Sequence, residues 1–77
     1  MNAETGHVSG TKDKHYDLIW FTEACLSNAL RLETYIEDAT RNDDEELAEF
    51  FRKAQADSTK GAELGKALLR DRLAASL

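Results

Sequence analysis

An acidic break, Arg41-Asn42-Asp43-Asp44-Glu45-Glu46, divides two long runs of helical periodicity in a 77-residue chain that contains no proline. Proline would remove an amide donor and clash with the preceding turn, so no such residue interrupts either run. Two amphipathic helices joined by so short a link must fold back on each other. The expected fold class is therefore all-α, an antiparallel two-helix hairpin. The sequence contains no catalytic constellation, phosphate-binding loop or complete set of metal ligands, and it says more about how the chain completes its core than about a reaction.

Residues 1–12, with Gly6, Ser9 and Gly10, hold too few apolar side chains to pack and read as a flexible N-terminal tail. Residues 13–77 form the hairpin domain, with helix 1 over about 13–41 and helix 2 over about 44–75. Asp13, with Thr11 as the alternative, is the expected N-cap of the first helix. Asp43 followed by Glu46 has the spacing of a capping box at the start of the second.

In the first run, Leu18, Phe21, Cys25, Ala29, Leu32, Ile36 and Ala39 recur three and four apart, as one helical stripe requires. Ile19, Leu26 and Leu30 widen that stripe on one side, and Trp20, Ala24 and Tyr35 widen it on the other. In the second run the stripe is Leu47, Phe50, Phe51, Ala54, Ser58, Gly61, Leu64, Gly65, Leu68 and Leu69, with Lys66, Arg70 and Arg72 toward its C-terminal end. Its middle is small. Ser58, Gly61 and Gly65 make a helix-packing notch that calls for close approach by another helix or by a large side chain, with Trp20, Phe21 and Tyr35 as the candidates to fill it. A lone hairpin of this size shields one stripe on each helix and is marginal in stability. The sequence thus predicts a homodimer forming a four-helix bundle.

The runs Glu33-Thr-Tyr35-Ile-Glu-Asp38-Ala39, Asp44-Glu-Glu-Leu47-Ala-Glu-Phe50-Phe51-Arg52 and Ala62 through Leu69-Arg70 resemble half of a ferritin-like or rubrerythrin-type bundle. They are also similar to small bacterial two-helix proteins. The resemblance covers about 50 residues, mostly as core spacing. In that superfamily an inward Glu joins a Glu-x-x-His motif to hold paired iron ions, and Glu33 matches the first Glu. The second half of the motif is replaced by Asp57-Ser58-Thr59-Lys60, whose ammonium offers no lone pair to a metal. No metal or other cofactor is expected, and Glu33 and Asp57 are the weak metal-ligand candidates. Glu33 reads first as a carboxylate at the solvated edge of the helix; if it faces inward, Lys60 or Arg31 is the expected partner.

The net charge of −5 is dispersed along the chain, which argues against nucleic acid as a partner because displacing counterions from phosphates needs clustered Lys and Arg. Neither helix has the roughly 20 consecutive apolar residues of a membrane span. The single cysteine, Cys25, allows no intrachain disulfide, and its apolar neighbours predict a buried, unreactive thiol in a cytoplasmic protein. His7 and His15 have no ligand partner at suitable spacing and read as surface residues. Glu49 with Arg52 and Lys53 has the spacing of surface ion pairs. The expected function is that of a non-enzymatic helical interaction or scaffold module acting as a homodimer, with room for an unidentified protein partner. The alternatives are a ferritin-like iron-binding protein whose site is completed between subunits, and a small apolar ligand binder at the glycine notch.

Overall fold

The computed structural model describes residues 13–76, which form two helices, α1 (Lys14–Arg41) and α2 (Glu45–Ser76), of 28 and 32 residues. The tail, with His7 and the alternative cap Thr11, lies outside the described residues. The helices pack antiparallel in a single layer, with Cα extents of 49 × 27 × 13 Å. There is no strand among the described residues.

The line along which the helices meet repeats in heptads. On α1 it runs through Leu18, Thr22, Cys25, Ala29, Leu32, Ile36 and Ala39; on α2 it runs through Ala48, Phe51, Gln55, Ser58, Ala62, Gly65 and Leu69, all buried or half-buried. Spacings that alternate between three and four keep one seam facing its neighbour along a helix. This corrects the sequence reading at several positions. Thr22 is 5% exposed and takes the place assigned to Phe21, which is exposed. Thr22 can lie there because its hydroxyl donates to the Leu18 carbonyl at 2.8 Å, so no polar atom is left unsatisfied. On α2, Ala48 and Ala62 are 0% exposed, whereas Leu47, Phe50, Leu64 and Leu68 lie outside the seam and are exposed.

Small residues explain the geometry. An ideal Cβ built on Gly65 would overlap the Thr22 hydroxyl, and one on Gly61 would lie 2.9 Å from Cys25 Sγ and 3.4 Å from Phe21 Cζ. The notch is therefore filled from within the hairpin by Thr22, Cys25 and Phe21. Trp20 and Tyr35 do not fill it. Trp20 packs on Tyr16 with ring centroids 5.8 Å apart, and Tyr35 packs on Phe51 at 5.4 Å. Cys25 is half-buried, where full burial was expected. Cross-helix hydrogen bonds add to the fit, from Asn28 Nδ2 to Ser58 Oγ at 2.8 Å and from Gln55 Nε2 to the Ala29 carbonyl at 3.0 Å.

The chain reverses in three residues. The Asp43 amide donates to the Thr40 carbonyl at 3.0 Å, and the Asp44 amide donates to Ala39 at 2.9 Å. These are the two bonds of a Schellman closure. Asp43 takes the left-handed conformation such a closure requires, with φ 58°, although it is not glycine. The N-cap of α2 is therefore Asp44, not Asp43: its Oδ1 accepts from the Leu47 amide at 3.1 Å. Leu47 stands three residues on, where a capping box would need Glu or Gln, so the expected Asp43–Glu46 box does not form. At the other end, Asp13 Oδ1 caps α1 by accepting from the His15 and Tyr16 amides at 2.9 and 3.3 Å. Helix α2 continues to Ser76, close to the expected end, with Lys66, Arg70 and Arg72 toward its C-terminal end but no basic residue in its last turn. Asp44→Ala should lower stability by about 1 kcal/mol through loss of the cap. A urea midpoint equal to that of the wild type would show that Asp44 does not hold the amide end of α2.

Candidate interaction surface

A one-layer hairpin has two broad faces, and its residues divide unequally between them. On one face the basic groups Arg52 and Lys66 are paired within the chain, among a larger number of carboxylates. Arg52 Nη1 donates to Glu45 at 2.9 Å and to Glu49 at 3.0 Å, Lys66 pairs with Glu63 at 3.0 Å, and Gln55 Nε2 donates to Glu33 Oε1 at 3.0 Å. The Arg52 guanidinium is held above its ordinary pKa by its hydrogen bonds, first to Glu45 and then to Glu49. Ile19, Leu26, Leu30 and Leu73 are interspersed on this side, with Leu30 the most exposed of them at 77%.

The opposite face carries the bulk. Phe21 lies over Gly61, and Tyr35 and Leu47 line a hollow of about 280 Å³ near the hinge. Ala24, Asn28 and Arg31 line, with Phe21, a second hollow of about 360 Å³ toward the middle. Phe50 stands one helical turn from Leu47, and Leu64 one turn from Gly61, so both join this face. Phe50 is 63% exposed, and its ring lies against Phe51 at 5.7 Å. Bulk at both ends thus flanks a depression lined by Ala24, Cys25, Asn28 and Ser58. The sequence marked these residues as apolar but assigned most of them to the hairpin's own seam.

The residues weighed as metal ligands do not come together. Glu33 is exposed, as expected of a carboxylate at the solvated helix edge, and accepts from Gln55; the inward placement that would have called for Lys60 or Arg31 does not occur. Asp57 is exposed and, by its spacing four before Gly61, belongs to the Phe21 face. Among the described residues no three His, Cys, Asp or Glu side chains are grouped closely enough to hold a metal ion. His15 is half-buried at the start of α1. Glu49 pairs with Arg52 in preference to Lys53. Ser58, Gly61 and Gly65 are packing residues: Ser58 accepts from Asn28, and the two glycines admit α1 side chains.

No protein-family model, curated protein or solved structure matches this chain. No described helix is long and apolar enough to cross a membrane.

Proposed function

We propose that the chain is a non-enzymatic helical interaction module that works as a homodimer, two hairpins closing into a four-helix bundle. The observation that carries this reading is the mismatch between the seam and the face. Among the described residues four apolar ones are buried, Leu32, Ala39, Ala48 and Ala62, of which three are alanines, and no large side chain is fully buried. Twelve large hydrophobic residues among those described are exposed instead. Apolar burial stabilises by about 25 cal/mol per Å², so an alanine seam contributes little. Covering the Phe21–Phe50 face would contribute much more.

The half-bundle resemblance fits this architecture without its iron chemistry. Glu33 is engaged on the polar face and Asp57 lies on the opposite one, so a single second copy docked on either face cannot gather both carboxylates at one centre. The small-ligand reading has less support at the glycines themselves, where Cys25, Phe21 and Thr22 occupy the space.

Light scattering at micromolar concentration should give about twice the 8.6 kDa chain mass. A folded species that stays monomeric on concentration would overturn the homodimer.

A further inference from the structure

We infer that the second copy docks on the face bearing Phe21, Tyr35, Phe50 and Leu64, with both hinges at the same end and Arg31 of each chain paired with Asp57 of the partner subunit. This rests on the homodimer reading and specifies its surface, orientation and polar contact.

The choice of face follows from charge. The other broad face engages Arg52 and Lys66 within the chain through Arg52–Glu45, Arg52–Glu49 and Lys66–Glu63, and keeps surplus carboxylates such as Glu33 and Glu37 that the same face of a second copy would repel. Two opposite charges remain in the middle of the aromatic face without an ionic partner. Asp57 makes no ion pair or hydrogen bond, and Arg31 makes only a long 3.4 Å bond to Asn28. The area is sufficient, because two helices side by side, each about 10–12 Å across and about 42 Å or more long, offer a face comparable to the about 800 Å² per partner of a standard interface.

The orientation follows from register. Asn28 meets Ser58, and Ala29 and Glu33 meet Gln55, so Arg31 and Asp57 sit at nearly the same height on adjacent helices. A two-fold axis along the bundle lays α1 of one copy on α2 of the other without shifting heights. It therefore brings Arg31 opposite Asp57 of the partner subunit twice. The same operation sets Ala24 opposite Leu64 of the partner subunit, a small residue against a large one. Hairpins stacked with hinges at opposite ends would instead lay α1 on α1 and bring the two Arg31 side chains toward each other near the middle.

The test uses the full chain and two single reversals, Arg31→Asp and Asp57→Arg. Both positions are exposed, so circular dichroism should report helical secondary structure near the wild-type level at concentrations where dimers persist. Each reversal alone places like charges together at two symmetric points, and such juxtapositions discriminate strongly between partners. Each should raise the dimer dissociation constant by about 10- to 100-fold at low salt. Mixing the two variants should restore dimerisation to within a few-fold of wild type, because the heterodimer contains one native pair and one reversed pair, both attractive. Rescue on mixing requires the pair to form between chains and supports the proposal. A wild-type dimer whose reversals dimerise normally, or whose variants do not rescue each other, would overturn this face and orientation while leaving the homodimer intact. A monomeric wild type would overturn both.

Discussion

Gly65→Leu should lower the thermal midpoint by at least about 10 °C, equivalent to roughly 2 kcal/mol or more for a domain of this size. Intrinsic helix propensity argues the other way, since leucine is favoured over glycine in a helix by somewhat under about 1 kcal/mol. Sterics decide the sign. Even a single added carbon would overlap the Thr22 hydroxyl, and Thr22 Cβ would remain only 3.2 Å away if the hydroxyl rotated. Rotation would also cost the bond to the Leu18 carbonyl and leave a buried hydroxyl unsatisfied. The helices must then separate along the seam, and overpacking of this kind typically costs about 1–3 kcal/mol, occasionally more. Gly61→Leu should also destabilise, whereas Gly61→Ala should be milder because Cys25 can turn its sulfur away. A Gly65→Leu midpoint at or above wild type, followed by circular dichroism at 222 nm, would mean that α1 and α2 are not held at this close approach.

Dilution should unfold the protein. If folding and dimerisation are one process, lowering the chain concentration 100-fold removes about 2.7 kcal/mol per dimer. At about 2.1 cal/mol/K per residue of unfolding entropy over both chains, the midpoint should fall by roughly 8 °C. Calorimetric scans across that range measure it directly. A midpoint independent of concentration would show that the alanine seam alone sustains the fold, contrary to the small area it buries.

The helices were legible because their apolar residues keep the period of a helix and Asp, Asn and Glu cluster where the chain turns. The seam was less legible, for a physical reason that particular residues expose. Bulk reports where apolar surface lies, not which neighbour covers it. Phe21 is bulkier than Thr22 and fits the spacing as well, yet only Thr22 lets the helices approach at Gly65. Ala48 and Ala62, the most buried apolar residues, contribute one methyl each and leave a faint signature beside Leu47 and Leu64. Gln55 carries no apolar signal at all; it lies in the seam because its amide bridges Ala29 and Glu33. At the hinge, Asp43 and Asp44 are equally capable caps by type. What separates them is the left-handed backbone at Asp43, which the α1 closure imposes and which local sequence does not encode. The Phe21–Phe50 face was visible as excess hydrophobicity, but its division from the ion-paired face depends on the register between the helices.

Asp44 ends one helix and begins the next, since its amide closes α1 and its carboxylate caps α2. No slack remains between the two, and each residue of helix carries about 100° of rotation with its 1.5 Å of rise. Adding or deleting one residue at the end of α1 would therefore carry all of α2 around the α1 axis by more than a quarter of a circle. Phe50 and Leu64 would swing away from the face they share with Phe21, and Gly65 would no longer meet Thr22. The length of this turn is thus part of the recognition surface: it sets the phase in which two otherwise independent helices present a single pattern to a second molecule.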